Sequence, residues 1–321
     1  MAKPRLSVLD LVALSEGMTA GQAIAHSVEA ARVAEATGYE RYWLAEHHNS
    51  EALASSATTL LMGHVAANTS TIRVGSGGIM LPNHSPLHVA EELGTLDAMF
   101  PGRIEAGLGR APGTDPATAR ELGRGSAHVG DVTASISALQ RYLGDPEGQP
   151  AVVAHPGQGS KVPLYMLGSS VNGAAMAAEM GLPFAFASHF APFQMGPAIA
   201  SYRERAENPY VMAAANVMVA DSEEEARFQL STLQKMFAGI VTNQRSKLMP
   251  PEKGLEEKLG PMVWKHITDS LEITFAGTAE QVADELLGFA ERYALDEIIT
   301  VTYAFDSAVR KASIEALGRI W

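Results

Sequence analysis

The chain has no cysteine among its 321 residues. This absence excludes disulfide bonds, thiolate metal ligands and cysteine nucleophiles. The chain also lacks an apolar run that approaches the roughly 20 residues a helix needs to span a bilayer. Its first residues show no apolar signal-peptide region. We therefore expect a cytoplasmic protein without a membrane-spanning segment.

Positive charge is scarce as well: 24 lysines and arginines face 36 aspartates and glutamates, for a formal charge of −12. A surface for nucleic acid or anionic lipid needs a basic patch, and no lysine- or arginine-rich run supplies one. The remaining composition, with 46% hydrophobic and 19% charged residues, is typical of a soluble α/β enzyme.

Short apolar segments alternate with helix-length segments along the chain, a pattern typical of repeated βα units and a parallel sheet. Capping boxes that begin at Thr19, Ser222 and Thr278 support the predicted helix starts. Eight βα units predict a single (β/α)8 TIM-barrel domain over residues 1–321. The eight predicted strands are 6–9, 42–46, 72–79, 104–109, 164–167, 184–187, 211–220 and 298–302.

One polar stretch, residues 242–275, interrupts this alternation and carries Pro250, Pro251 and Pro261. We interpret it as an insertion before the last βα unit. Long insertions in barrels often cover the mouth, so residues 244–260 could form a mobile lid. A partly ordered surface excursion is the alternative, and the sequence favours neither.

The second predicted strand leads directly into Glu46, His47, His48 and Asn49. Ionisable groups are costly to hold beside apolar surface unless they have partners, so this cluster predicts a site that handles protons or ligands. A metal site is the competing hypothesis. Because consecutive strand residues face opposite ways, His47 and His48 are not expected to share one ion, and we predict no metal. Each histidine alone could also be structural.

A second candidate site lies where Gly168, Ser169 and Ser170 close the fifth predicted strand and open a helix. Free backbone N–H groups and two hydroxyls at a helix start bind phosphate. Arg110, at the end of the neighbouring strand, could hold the same anion. The alternative is a serine that only caps the helix and an arginine that only pairs at the rim.

The glycine pair Gly77-Gly78 weakens an otherwise valine- and isoleucine-rich strand. Glycines inside a strand mark either a bulge or the close approach of another backbone or a ligand. A flat ring could therefore lie against this position, and a simple bulge is the alternative.

Taken together, four segments resemble the bacterial luciferase-like flavin monooxygenases, in particular their non-luminescent single-gene branch. The similarity covers nearly the whole chain, and its motifs are specific in combination. They are Tyr42-Trp43-Leu44-Ala45-Glu46-His47-His48-Asn49, residues 72–82, Pro101-Gly102-Arg103 with Gly107-Leu108-Gly109-Arg110, and Ala187-Ser188-His189-Phe190.

The resemblance implies a barrel that binds FMN at its mouth. It places His47 beside the flavin as the active-site histidine, with Glu46 or Asn49 setting its tautomer. It also places a non-prolyl cis peptide at Gly77-Gly78 under the flavin ring. The other cofactor contacts that it implies are Arg110, Gly168, Ser169, Ser170 and His189.

The implied activity is oxidation of a small organic substrate by O2 with reduced FMN, which a separate NAD(P)H-dependent flavin reductase supplies. Helices in 55–68 and 86–99 resemble dimerisation segments and predict a homodimer. Light-emitting members carry a cysteine where this chain has Gly109, so luminescence is not expected. The remaining alternatives are an F420-dependent dehydrogenase, a non-catalytic flavin-binding protein and a metal hydrolase.

Overall fold

A computed structural model of the chain describes residues 3–122, 132–146, 148 and 150–321. The strands in these ranges are β1 (Arg5–Asp10), β2 (Arg41–Leu44), β3 (Arg73–Met80), β4 (Ile104–Gly109), β5 (Leu164–Gly168), β6 (Phe184–Phe186), β7 (Val211–Val219), β8 (Thr274–Gly277) and β9 (Glu297–Val301). The helices are α1 (Ala20–Ala36), α2 (Thr58–Ala67), α3 (Pro86–Met99), α4 (Pro116–Glu121), α5 (Val132–Leu143), α6 (Val171–Glu179), α7 (Met195–Arg205), α8 (Glu223–Val241), α9 (Leu255–Leu259), α10 (Pro261–Ser270), α11 (Ala279–Tyr293) and α12 (Ser307–Ile320).

The strands form a closed parallel barrel. Pairing runs in order from β1 to β7, continues from β7 to β9, and closes when β9 pairs with β1. Helices connect successive barrel strands, as parallel pairing requires. The predicted (β/α)8 TIM barrel is therefore confirmed, and the carboxyl ends of its strands define one mouth.

Each of the eight predicted strands is present, with small differences at the ends. β2 ends at Leu44, two residues earlier than expected, so Glu46 to Asn49 lie in the following loop. The prediction that His47 and His48 face opposite ways assumed that both belong to a strand. This assumption is wrong, because both residues lie in the loop. The predicted helix starts are confirmed. Thr19 and Thr278 form reciprocal capping boxes, and Ser222 accepts a hydrogen bond from the Glu225 N–H.

The end of the barrel opposite the mouth is held by one buried arginine between two glutamates. Arg41 donates to both Glu105 oxygens at 2.8 Å, and its Nε donates to Glu297 at 2.7 Å. All three side chains are almost fully buried. Removing one partner of such a group typically costs about 3–5 kcal/mol, because it leaves a buried charge uncompensated. This network joins the amino-terminal ends of β2, β4 and β9.

The segment at 242–275 is built onto the barrel mouth. It contains α9 and α10 and ends in β8, a strand that the sequence analysis missed, and β8 pairs only with the carboxyl-terminal half of β7. Leu248 and Ile267 are buried and join the cluster of apolar side chains that fills the barrel interior. Among the described residues no helix is both long and apolar enough to cross a bilayer.

Candidate active site

The ring of His47 is fixed by a backbone carbonyl. Its Nδ1 lies 3.2 Å from the carbonyl oxygen of Gly113, in the loop after β4. Because a carbonyl only accepts, Nδ1 carries the proton and Nε2 is left as an acceptor. Burial lowers the pKa of His47, although the Gly113 carbonyl and the Glu46 carboxylate oppose this shift. The imidazole is therefore neutral near pH 7 and can take up a proton.

Two further hydrogen bonds tie the same loop to the residues around His47. The Thr114 hydroxyl donates to the carbonyl of His48 at 3.2 Å, and the Asn49 amide donates to the Asp115 carboxylate at 3.3 Å. The partner of His47 is thus Gly113, and the expectation that Glu46 or Asn49 sets its tautomer is corrected. Asn49 instead has a left-handed backbone, with φ of 54°, and helps to join the two loops.

The Glu46 carboxylate is the centre of a second hydrogen-bond network. His48 and His84 each donate an Nε2–H to its Oε1 at 2.8 Å, and the Met80 N–H donates to its Oε2 at 3.0 Å. Burial would raise the pKa of Glu46, but these hydrogen bonds outweigh burial and hold the pKa below its usual value. The carboxylate therefore fastens the end of β3 to the loop after β2.

His84 is a site residue that the sequence analysis missed. It follows a short 3-10 turn, Leu81–Asn83, and its hydrogen bond to Glu46 raises the pKa of its imidazole. The ligand atoms of Glu46, His48 and His84 lie within 4.8 Å of one another, a grouping that could hold a metal ion. The hydrogen bonds to Oε1 account for the grouping without an ion, and the absence of a metal stays a prediction.

A cationic cradle lies at the ends of β4 and β5. Ser170 caps α6 by accepting the Gly173 N–H at 3.2 Å, and it also accepts Nη2–H of Arg110 at 3.1 Å. The Arg110 Nε atom is buried and, in the part of the chain that the structure describes, lacks a hydrogen-bond partner. A Cβ added to Gly173 would lie 2.9 Å from Arg110 Nη2, so this glycine makes room for the guanidinium.

The structure brings the residues predicted for this site together, and their role in binding phosphate stays a prediction. Gly168 is the last residue of β5, Ser170 is the cap, and half-buried Ser169 lies between them. An arginine with an unsatisfied donor beside a helix N-terminus is suited to a phosphate group. Gly173 was not singled out, although its position two residues inside the helix was a usable signal.

The Gly77-Gly78 peptide bond is cis, as the resemblance implies, and the β3–β4 register shifts at this point. The bulge is therefore present, and the contact of a flat ring with this position stays a prediction. A Cβ on Gly78 would lie 2.6 Å from the carbonyl oxygen of Gly107. Protein packing alone therefore requires glycine at position 78, and a Cβ on half-buried Gly77 would lie 2.5 Å from Leu9 Cδ1.

His189 lies just beyond β6 and is 8% exposed. Its carbonyl accepts the Asn216 amide at 2.6 Å, which fixes the backbone. Its Nδ1 atom is buried without a hydrogen-bond partner among the described residues. Burial, with a further contribution from the charge of His47, lowers the pKa of His189 to about 3. It is a neutral group with one free polar atom near His47.

At Gly109, where light-emitting proteins of the resembling family carry cysteine, a side chain would require Met80 to move. An added Cβ would lie 2.5 Å from the Met80 sulfur. Met80 therefore occupies the space that a side chain at position 109 would need, and the backbone N–H of Met80 is held by Glu46.

Comparison with known proteins agrees with this geometry. The family model for luciferase-like monooxygenases matches residues 5–296. A "Luciferase-like monooxygenase" of Escherichia coli K12 is 40% identical over 316 residues, which cover 96% of this chain and 94% of the relative. The solved structure of apo-MsnO8 superposes with a TM-score of 0.91 at 31% identity, covering 98% of both chains.

A more distant structure shares the fold alone. It is the oxygenating constituent of the Pseudomonas putida 3,6-diketocamphane monooxygenase, a type II Baeyer-Villiger monooxygenase solved in complex with FMN. It superposes with a TM-score of 0.72 at 16% identity, covering 99% of this chain and 98% of the other.

Proposed function

Because the chain belongs to the luciferase-like monooxygenase family, we propose that it is an FMN-dependent monooxygenase acting on a small organic substrate. One oxygen atom of O2 enters the substrate and the other leaves as water, with two electrons from reduced FMN and two protons. The observation that carries this proposal is the cradle of Arg110, Ser170 and Gly173 on the same rim as His47.

The residues of the mouth fit FMN. The unpartnered Arg110 Nε and the start of α6 suit its phosphate. Ser169 and Gly168 lie beside them, and the backbone of half-buried Gly77 stays partly open to a ring. The same fold holds FMN in the Pseudomonas putida protein. Reduced FMN, when bound, supplies the electrons that activate O2.

The chain's own residues position the reactants and move protons. His47 presents an unprotonated Nε2 because Gly113 holds its Nδ1–H, so it can accept or return a proton at that atom. His189 stays neutral and offers one polar atom without adding charge. Glu46 holds His48, His84 and the end of β3 in place. We assign no direct catalytic contact to Asn49, which joins two loops.

Partners of the chain form a further part of the proposal. We propose that a separate flavin reductase supplies the reduced FMN. Exposed Leu60 on α2 and Met99 at the end of α3 belong to the segments proposed to form a homodimer. The 242–275 segment is proposed to exclude water from the mouth, because its Leu248 and Ile267 pack on the barrel interior.

The products of O2 reduction distinguish this proposal from its alternatives. The protein is mixed with chemically reduced FMN and O2 in the presence of a panel of thioethers, ketones and aldehydes, and hydrogen peroxide is measured. A monooxygenase lowers the peroxide yield with a substrate and forms an oxygenated product in equal amount. A peroxide yield unchanged by every compound indicates a flavin-binding protein. Reduction of F420 by an alcohol would instead identify a dehydrogenase.

A further inference from the structure

The side chain of Met80 lies on the inner face of the barrel mouth. Met80 ends β3 and pairs in register with Gly109, the last residue of β4. Side chains alternate between the two faces of a strand. Glu105 of β4 faces the barrel interior, where it accepts from Trp43, and Gly109 lies an even number of residues further on. A Cβ added to Gly109 would lie 2.5 Å from the Met80 sulfur, so the thioether fills this inward position.

The thioether also lies between the two proposed contacts of the cofactor. On one side, the proposed phosphate ligand Arg110 follows Gly109 directly in the chain. On the other side, a Cβ added to Gly113 would lie 2.9 Å from Met80 Cγ and 3.4 Å from its sulfur. The carbonyl of Gly113 in turn holds the His47 ring at 3.2 Å. A ligand that spans from Arg110 to His47 therefore runs along this sulfur atom.

The Met80 sulfur is open to chemical attack. The residue is half-buried, so part of its side chain faces the mouth. The chain has 14 methionines and no cysteine, so thioethers are the sulfur groups that an oxidant meets in this chain. Peroxide converts a thioether into a sulfoxide, which is polar and carries an additional oxygen atom.

We propose that Met80 is a self-oxidation site, which hydrogen peroxide formed in the mouth converts to methionine sulfoxide. This inference rests on the proposed function, because reduced FMN gives two electrons and two protons to O2 and thereby forms the peroxide. The sulfur donates an electron pair to one peroxide oxygen, an S–O bond forms and the O–O bond breaks. The proton of the transferred oxygen passes to the departing hydroxide, which leaves as water.

Oxidation of Met80 changes the surroundings of His47. The thioether packs against the backbone of both Gly109 and Gly113, and neither position has room for even one more carbon atom. An additional oxygen on the sulfur therefore displaces the Gly113 loop, which weakens the hydrogen bond between its carbonyl and His47. Because this carbonyl raises the pKa of His47, oxidation of Met80 lowers that pKa.

Sulfoxide formation is measured by mass spectrometry of peptides from the full chain, in two experiments. In the first, the chain with bound reduced FMN reacts with O2 in repeated cycles without an organic substrate, and catalase removes the peroxide that escapes. In the second, the flavin-free chain is treated with hydrogen peroxide alone. Met180 is the matched internal reference, because it is also half-buried but follows α6 at the end of the barrel opposite the mouth.

In the cycling experiment, Met80 sulfoxide should form at least about tenfold faster than Met180 sulfoxide, because peroxide formed beside the sulfur has a high effective concentration. With peroxide alone, this preference should disappear, and Met262, which is 80% exposed, should be oxidised fastest. The pKa of His47, measured by NMR after removal of the flavin, should fall during cycling in the wild type and in Met180→Leu. It should stay constant in Met80→Leu.

Equal oxidation of Met80 and Met180 during cycling overturns the inference, as does an equal fall of the His47 pKa in Met80→Leu. If reduced FMN binds and is oxidised by O2 while Met80 stays unmodified, the inference fails and the proposed function stands. If calorimetry detects no binding of reduced FMN, the proposed function fails, and the inference fails with it.

Discussion

The Nδ1 atom of His47 lies 3.2 Å from the carbonyl oxygen of Gly113, so a backbone group determines which ring nitrogen is free. Gly113 has a φ of 63° and lies three residues after Arg110. The loop that carries the proposed phosphate ligand therefore also orients the proposed proton acceptor. Cofactor binding and the orientation of His47 are expected to depend on each other through this loop.

Substitution Gly113→Ala tests this relationship. The added Cβ would lie 2.9 Å from Met80 Cγ and 3.2 Å from the Glu46 carbonyl oxygen, so the loop must shift and weaken the bond to His47. Because the carbonyl raises the pKa of His47, its loss lowers that pKa further. NMR titration of the His47 ring protons measures the change. Gly102→Ala is the control, since Gly102 has a φ of 72° but no neighbour within 4 Å; an equal shift there would contradict the account.

Arg110→Met tests the phosphate cradle. The substitution removes the charge, the Nη2–H that donates to Ser170 and the unpartnered Nε–H, so FMN should bind about 10- to 100-fold more weakly. Riboflavin, which has no phosphate, should bind the variant and the wild type equally. Fluorescence titration of both flavins, with the wild type and the variant, measures the four dissociation constants. Equal weakening of FMN and riboflavin would show that Arg110 supports the ring site or the fold rather than the phosphate.

The pH dependence of turnover tests His47. A neutral imidazole is needed to accept a proton, and the neutral fraction grows as pH rises through the pKa. Since burial lowers the pKa of His47 from 6.5, the acidic limb of kcat/KM should have its midpoint below 6.5. The charged or titratable groups that act on it are Glu46, His48, Arg245 and His189.

Substitution His47→Asn should remove that limb and lower kcat by about 10²- to 10⁴-fold, the usual contribution of a general acid or base. FMN affinity should change little, because His47 does not belong to the phosphate cradle. His64→Asn, on the exposed side of α2, is the control and should behave as the wild type. An acidic limb that persists in His47→Asn would assign the titration to another group.

Substitution Gly78→Ala tests why the glycine pair is needed. Its Cβ would lie 2.6 Å from the Gly107 carbonyl oxygen, a backbone atom that cannot turn aside, so we expect a loss of about 1–3 kcal/mol in unfolding free energy. Gly288→Ala, at an exposed helical position with no neighbour within 4 Å, should instead gain about 0.5–1 kcal/mol. Urea unfolding of both variants measures this difference. An unchanged unfolding free energy in Gly78→Ala would refute the packing argument.

The sequence was sufficient to predict the barrel because each barrel strand is a compact apolar segment between helix signals. β8 was missed since it is short, only partly buried, and pairs with just half of β7. Ends of strands were less certain, and the extension of β2 to Glu46 led to a wrong argument about the direction of His47 and His48. The residue at which a strand ends depends on hydrogen bonds to neighbouring strands, and the local sequence pattern does not show these bonds.

The candidate site was predictable where its residues follow strands, as Arg110 and Ser170 do. His84 was missed because only the pairing of β2 with β3 brings its loop to Glu46. The acceptor for His47 was missed for a different reason: it is a backbone carbonyl, which every residue has.

The most direct test of the central claim is an anaerobic titration of the wild-type chain with reduced FMN, reduced riboflavin and reduced F420, followed by calorimetry. The account predicts saturable binding of reduced FMN, with reduced riboflavin at least about tenfold weaker because it lacks the phosphate that Arg110 and Ser170 hold. Absence of heat with reduced FMN, or tight binding of reduced F420 alone, would contradict it.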